Sequence, residues 1–262
     1  MRRVRSGEPP RGPRGAAGAA SVLPVLLLLA VTAGAQAPRM QGRIASEERL
    51  VRVLALGDSY TIGEGVAPAE RWPLQLVGAL RAGGQVVVEP RIIARTGWTT
   101  DELAQAIAAS SVAADYDLVS LLIGVNDQYR GRSISEYPER FRSLLNQAIG
   151  FAGGSPGRVL VLSIPDWGVT PFASGRDRAK IAAEIDAYNA VNRAEAEAAG
   201  ARYVDVTPAS REAATDPALL AADGLHPSAA MYARWVELAL PAVRAALAGE
   251  PALQQAGAGP NR

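Results

Sequence analysis

The chain has 262 residues, 48% hydrophobic and 20% charged, and this length and balance suit one medium-sized domain with a substantial core. Its formal net charge of +1 at pH 7 gives no electrostatic reason to expect nucleic acid or another acidic partner. The absence of cysteine excludes disulfides, thiol catalysis and thiolate metal sites, and a single histidine, His226, makes a zinc site built from histidines unexpected.

Residues 1–37 have the pattern of an export segment. Five arginines within residues 2–14 precede an apolar run at 16–33. Small residues around Ala35 resemble a signal-peptidase site, so we expect an exported protein, periplasmic or secreted, whose mature chain has no membrane span. An uncleaved N-terminal anchor is the alternative, although the strongly apolar part is short for a bilayer span and Pro24 interrupts it.

Residues 51–248 are expected to form the folded domain, after a polar spacer at 38–50 and before a disordered tail at 249–262. Short apolar runs with the composition of buried strands lie at 51–56, 85–94, 117–123, 158–164 and 202–206. Helical patterns follow them at 71–82, 100–110, 135–151, 176–199 and 228–248. Strands that alternate with helices predict a parallel sheet with right-handed connections, covered on both faces.

A polar residue or a glycine follows each of the first three predicted strands. A further pair of polar residues precedes the last predicted helix. Ser59 follows the first strand, Gly97 the second and Asn126 the third. Because the carboxyl ends of parallel strands lie along one edge of a sheet, these three positions can converge in space. Asp223 and His226 are three residues apart, close enough for the carboxylate to contact the imidazole across a turn.

Each of these features also has an ordinary structural interpretation. A serine such as Ser59 commonly bonds its own turn, and Asn126 can belong to a turn with no further role. His226 stands directly before a proline and can simply lead into the last helix. We expect Pro227 to begin that helix and to set how the histidine approaches it.

Two other patterns do not favour a site. Ser155, in the Gly-Gly-Ser-Pro-Gly run at 153–157, fits the nucleophile elbow of α/β-hydrolases, but it precedes a strand and therefore belongs to the opposite edge of the sheet. A cation site formed by Asp58, Asp127 and Asp205 is disfavoured, because aspartates at strand ends more often cap helices or bond turns. No metal is expected.

Together the motifs resemble the SGNH hydrolase family, also called GDSL esterases and lipases. The resemblance covers about residues 51–248 and rests on four matches in the family's order: GDSY at 57–60, the glycine at 97, GVND at 124–127 and DGLHP at 223–227. Tyr60 replaces a frequent leucine, which is a common variation. The resemblance implies a three-layer α/β/α sandwich with a five-stranded parallel sheet, the flavodoxin-like SGNH hydrolase fold.

The resemblance also implies a role for each residue. Ser59 would be the nucleophile, His226 the base that takes its proton, and Asp223 the group that orients and stabilises the imidazolium. The backbone N–H groups of Ser59 and Gly97 and the side-chain amide of Asn126 would donate to the oxyanion, and the loss of one such donor costs about 3–4 kcal/mol. No cofactor is implied.

The expected function is therefore that of a serine esterase acting on a small-molecule, glycan or lipid ester through an acyl-enzyme on Ser59. Candidate substrates are short acyl esters, O-acetylated sugars and lysophospholipids. An acyltransferase with the same triad, or a non-catalytic binding module of the same fold, are the alternatives. Trp98 and Trp167 follow strands at the catalytic edge and either line the substrate pocket or pack as ordinary loop residues, and the loop at 166–175 is expected to set substrate choice.

Overall fold

The computed structural model describes residues 50–252, so the predicted export segment at 1–37, nearly all of the spacer and the tail beyond 252 lie outside the described residues. Within this range five parallel strands form one sheet in the order β2-β1-β3-β4-β5. The strands are β1 (Val53–Gly57), β2 (Arg91–Ala94), β3 (Leu118–Leu122), β4 (Val159–Leu162) and β5 (Arg202–Val204). This is the flavodoxin-like order, and the predicted α/β fold with a five-stranded parallel sheet is confirmed.

Eight α-helices accompany the sheet in residues 50–252. They are α1 (Ser59–Ile62), α2 (Trp72–Ala82), α3 (Thr100–Ala108), α4 (Val125–Tyr129), α5 (Tyr137–Phe151), α6 (Arg178–Ala199), α7 (Thr207–Arg211) and α8 (Ala229–Leu247). The chain runs from β1 out to β2 and back past β1 to β3, so right-handed connections put α2 on one face and α3 and α5 on the other. The contacts agree, because α2 packs on α8 whereas α5 packs on both α3 and α6. None of the eight is long and apolar enough to cross a membrane.

The central strands form the middle of the core. Every residue of β1, β3 and β4 is buried, as expected for parallel strands that are covered on both faces. Helical side chains fill the layers on either side, and Trp72 of α2 is only 1% exposed. Because β1 and β3 are neighbours in this rigid centre, their carboxyl ends hold Ser59 and Asn126 at adjacent positions of one sheet edge.

The second strand is shorter than predicted. It begins at Arg91, and the residues before it contribute only an isolated bridge between Val87 and Val51. Pro90 explains the difference, since proline has no N–H to donate to the ladder and confines regular pairing to the residues that follow it.

The short helices were not predicted. The ordinary interpretation of Asn126 placed it in a turn, yet it lies in α4, which begins shortly after β3, and α7 follows β5 in the same way. Pro227 does not begin the last helix. Ser228 is the N-cap of α8, its Oγ accepting from the Met231 N–H at 3.4 Å, and Pro227 instead bridges to Leu220. A serine side chain can accept that bond, and the proline is displaced to the position before the cap.

Substitution of Gly124, the N-cap of α4, tests how tightly α4 is joined to the sheet. Gly124 has φ +123°, and an added Cβ would clash with Tyr137 Oη and lie 2.9 Å from Ile164 Cδ1. We expect Gly124→Ala to lower the free energy of unfolding by about 3 kcal/mol or more, measured by urea denaturation. Gly131→Ala is the matched control, because Gly131 also has positive φ (+66°) but open space around it, and it should cost about 1–2 kcal/mol. Equal losses would contradict this explanation.

Candidate active site

Ser59 is the first residue of α1, at the carboxyl end of β1. Asp58 is the N-cap, and its Oδ1 accepts from the Tyr60 N–H at 3.1 Å. An added Cβ at Gly57 would clash with the Thr61 side chain and the Leu122 carbonyl, so only glycine lets this single helical turn pack directly on the strands. The serine is held on a turn of fixed geometry and is largely buried.

Gly97 lies in the loop between β2 and α3 with φ +85°, a conformation that favours glycine. Two contacts fix this loop. Arg130 donates from Nη2 to the Gly97 carbonyl at 2.6 Å. On the other side, the Glu102 carboxylate accepts from the Thr99 N–H at 2.9 Å and so closes a capping box at the start of α3. The Gly97 peptide is therefore anchored on its carbonyl side.

Asn126 lies in α4, one turn after β3. Its Nδ2 donates to the Trp98 carbonyl at 2.9 Å, which joins α4 to the loop that carries Gly97. An amide nitrogen carries two hydrogens. The second hydrogen has no acceptor among residues 50–252, so it remains available to a ligand.

The neighbouring carboxylate of Asp127 links the same two segments more deeply. Its oxygens accept from the backbone N–H and the hydroxyl of Thr100, at 2.9 and 2.8 Å, and Arg132 approaches to 3.3 Å. Burial raises the pKa of Asp127 above its usual range, while the bonds from Thr100 oppose that change. This tether was not predicted, since the sequence indicated for Asp127 only the helix-capping or turn-bonding role that is common for strand-end aspartates.

The three aspartates considered for a cation site have separate roles. Asp58 caps α1, Asp127 binds the start of α3, and Asp205 pairs with Arg193 at 3.1 Å and accepts from Ser163. Within residues 50–252 no group of three His, Asp or Glu side chains could hold a metal ion.

Asp223 and His226 are in direct contact, as their spacing predicted. His226 Nδ1 lies 2.7 Å from Asp223 Oδ2, and Asp223 Oδ1 accepts from the backbone N–H groups of Leu225 and His226, each at 2.9 Å. Partial burial acts to raise the pKa of Asp223, but the hydrogen bonds from His226 and Leu225 outweigh it and leave that pKa below its usual value. An ionised carboxylate at Nδ1 favours the tautomer that carries its proton there, with Nε2 as the basic nitrogen.

Ser59, Gly97, Asn126 and His226 line one cavity of about 150 Å³, and Asp223 bonds His226. The structure therefore brings all five predicted site residues together, although they come from four distant parts of the chain. Ser59 and His226 do not hydrogen bond in this structure, and contacts of this kind commonly tighten only when substrate binds. A larger cavity of about 350 Å³ lies against α6 and α7 and contains none of these residues.

Besides Tyr60, three aromatic side chains complete the wall of the cavity: Tyr129, Trp167 and Phe172. Trp167 was one of two tryptophans considered for this position. The other, Trp98, does not line the cavity and packs against the core, contributing its carbonyl to Asn126. Tyr129 and Phe172 were not predicted, although Tyr129 lies three residues after Asn126 and so on the same face of α4.

Ser155 is far from this cavity in the fold. It precedes β4 and leads into a 3₁₀ turn at Pro156–Arg158, at the edge opposite to the strand ends that hold Ser59. Its exclusion as a nucleophile is consistent with this position.

Comparison with known proteins agrees with these observations. The GDSL-like Lipase/Acylhydrolase family profile matches residues 55–234, which include all five site residues. The chain belongs to this family. The resemblance drawn from the four motifs is confirmed, and with it the assignment to GDSL/SGNH-type ester hydrolases. Among curated proteins, no match to the chain was found.

Solved structures with this fold include an acetylxylan esterase and an α/β hydrolase. An acetylxylan esterase from Geobacillus stearothermophilus, Axe2, is 23% identical with a TM-score of 0.58, over 74% of this chain and 94% of Axe2. TesA is 22% identical with a TM-score of 0.57, over 74% of this chain and 99% of TesA. LAE5, an α/β hydrolase from the metagenome of Lake Arreo, is 23% identical with a TM-score of 0.54, over 76% of this chain and 95% of LAE5. At this identity the likeness shows the shared fold.

The GDSL aspartate, Asp58, is fully buried next to Ser59. Its Oδ2 has no hydrogen-bond partner among residues 50–252, and its Oδ1 accepts one backbone N–H. Burial raises the pKa of Asp58 to about 8, with the Tyr60 N–H acting against it and the charge of Asp127 adding to it. At neutral pH this carboxyl is therefore mainly protonated in the folded state.

Replacement of Asp58 should change the pH dependence of stability. The folded state keeps a proton that the unfolded state releases between about pH 4 and pH 8, so Asp58 lowers the free energy of unfolding as pH rises through that window. Asp58→Asn cannot ionise and keeps an oxygen for the Tyr60 N–H. We expect the variant to gain stability relative to the unsubstituted protein from pH 5 to pH 8, measured by urea denaturation. A constant difference across that range would contradict the buried, protonated state.

Proposed function

We propose that the protein is an exported serine esterase that hydrolyses small carboxylic esters through an acyl-enzyme on Ser59. The observation that carries the proposal is the convergence of Ser59, Gly97, Asn126 and His226 on one cavity, with Asp223 bonded to His226. Export is supported by the sequence pattern of residues 1–37.

Acylation begins when His226 Nε2 takes the proton from Ser59 Oγ, because a serine hydroxyl is a weak nucleophile until a base removes its proton. Oγ attacks the ester carbonyl carbon, and the carbonyl oxygen becomes an oxyanion. The tetrahedral intermediate then collapses, the bond to the alcohol oxygen breaks, and His226 gives its proton to the departing alcohol. The acyl group remains on Ser59.

Deacylation repeats the sequence with water. His226 removes a proton from a water molecule, the hydroxide oxygen attacks the acyl carbon, and the proton returns to Ser59 Oγ as the carboxylic acid departs. Asp223 stabilises the imidazolium in both halves. Its lowered pKa keeps the carboxylate ionised at neutral pH. Its two hydrogen bonds from backbone N–H groups hold it in position beside His226.

The oxyanion needs donors that are already in place. The backbone N–H groups of Ser59 and Gly97 and the free amide hydrogen of Asn126 are the proposed donors. Arg130 restrains the Gly97 peptide by donating to its carbonyl. The Trp98 carbonyl restrains the Asn126 amide by accepting its other hydrogen. Donors fixed in this way require no reorganisation when charge develops, which is the basis of their large effect on rate.

The cavity favours a small acyl group. Its volume of about 150 Å³ and its aromatic wall suit a short apolar acyl chain such as acetyl. The likeness to an acetylxylan esterase is compatible with an O-acetylated sugar as the substrate, among the short acyl esters considered.

Removal of the nucleophile is the direct test. Ser59→Ala should reduce kcat for p-nitrophenyl acetate by at least about 10³-fold, because the acyl-enzyme can no longer form, while the circular dichroism spectrum stays unchanged. Ser155→Ala is the matched control, since it removes the same atom from the serine at the opposite sheet edge, and its kcat should be unaltered. Full activity of Ser59→Ala would refute the mechanism.

Removal of the amide donor tests the oxyanion site. Asn126→Ala should lower kcat by about 10²–10³-fold with little change in KM, because the donor acts on charge that develops only in the transition state. Thermal unfolding of the variant, compared with the unsubstituted protein, reports whether loss of the bond to the Trp98 carbonyl disturbs the fold. A variant that raised KM and left kcat unchanged would assign Asn126 to substrate binding instead.

A further inference from the structure

Three rings form what we call the aromatic wall of the cavity: Tyr129, Trp167 and Phe172. Tyr129 and Trp167 meet edge to face at 5.4 Å between centroids, and Phe172 lies 6.2 and 6.0 Å from the two. Trp167 is fixed, because its Nε1 donates to Gln128 at 2.8 Å and the Gln128 amide donates to Glu184 at 2.7 Å. The outer rings are about 40% exposed, so the wall opens to solvent on that side.

Arg176 covers the solvent side of the aromatic wall. Its guanidinium carbon lies 5.2, 5.4 and 5.8 Å from the centroids of Tyr129, Trp167 and Phe172. The guanidinium makes one hydrogen bond among the described residues, to Tyr129 Oη at 3.3 Å. No carboxylate in residues 50–252 lies within 4.0 Å of it. Since a guanidinium has five N–H donors, most of its donors are left for a ligand.

Two neighbouring arginines, Arg130 and Arg178, are already engaged. Arg130 donates to the Gly97 carbonyl and pairs with Glu102 at 3.3 Å. Arg178 donates to the carbonyls of Val169 and Thr170 at 3.3 and 3.2 Å. Arg176 differs in that its cationic group is held by ring contacts, which leave its edge open. A planar guanidinium stacked on rings is pre-oriented for bidentate binding of a carboxylate or phosphate, and less side-chain entropy is lost when it binds.

We propose that Arg176 is a specificity-determining residue that binds an anionic group carried by the substrate ester. The preferred substrates are therefore small esters with a carboxylate or phosphate elsewhere in the molecule, on either the acyl or the alcohol side. This inference rests on the proposed function, because it assigns a substrate class to the same cavity. The aromatic wall contacts the apolar part of such an ester while the guanidinium edge binds its charge.

Two pairs of esters, each differing in one charge, test the inference and separate the two sides. The acyl-side pair is p-nitrophenyl hemisuccinate and p-nitrophenyl butyrate. The alcohol-side pair is 4-acetoxybenzoate and its methyl ester. The measured quantity is the ratio of kcat/KM for the charged ester to that for the neutral ester in each pair.

We expect Arg176→Gln to lower this ratio about tenfold in at least one pair, mainly through KM, because the charge-assisted hydrogen bond to the anionic group is lost. Arg176→Lys should recover part of the loss, since lysine keeps the positive charge but lacks the planar guanidinium that donates two parallel hydrogen bonds. Lys180→Gln is the control for net charge, because Lys180 is an exposed cation of α6 whose nearest acid is Glu184 at 3.8 Å, and it should leave the ratio unaltered. Added salt should lower the ratio in the unsubstituted protein.

The possible outcomes distinguish the two proposals. An unaltered ratio in both pairs, or equal losses on charged and neutral esters, overturns the role of Arg176 and shows that it only shields the aromatic wall. Ser59-dependent hydrolysis of the neutral esters would then leave the proposed function intact. Absence of Ser59-dependent hydrolysis of every ester overturns the proposed function and this inference with it.

Discussion

The buried carboxylate of Asp127 joins the parts of the site that the chain supplies separately. It follows Asn126 in α4 and binds the backbone and hydroxyl of Thr100, three residues after Gly97. The Asn126 amide and the Gly97 peptide, which are the proposed oxyanion donors, are therefore tied to each other and to the ends of β2 and β3. Arg130 adds a second link between the same segments through the Gly97 carbonyl. Donors tied in this way can be aimed at an oxyanion before any charge forms.

This arrangement has an energetic cost at the sheet edge. Burial raises the pKa of both Asp58 and Asp127, and the charge of Asp127 further raises that of Asp58. A buried carboxylate is unfavourable inside a protein unless it accepts hydrogen bonds or takes up a proton. Asp127 is bonded by Thr100 and faces Arg132, whereas Asp58 retains its proton. The fully buried strands β1, β3 and β4 supply the apolar burial that offsets the cost.

Local patterns predicted most of the fold and much of the site. Buried parallel strands appear in a sequence as continuous apolar runs, and the contact of Asp223 with His226 needs only three residues of chain. The remainder depends on contacts that no local pattern encodes. Helix α4 is too short to have an apolar period, and Pro227 was misplaced because a capping serine outweighed it. The positions of Phe172 and Arg176 depend on the fold of the segment after β4.

The two sides of the cavity differ in how they are held. The polar side is fixed by hydrogen bonds, such as the buried bonds of Asp127 and the partly buried bond between Asp223 and His226. The aromatic side comes largely from residues 166–176, whose contacts to the remainder of the fold include the bond from Trp167 to Gln128. The segment also contacts the turn between Asp223 and His226, because the Phe172 N–H donates to the Gly224 carbonyl at 3.2 Å. The proposed control of substrate choice therefore lies with the side chains of residues 166–176, while the backbone of the same segment also supports the Asp223–His226 turn.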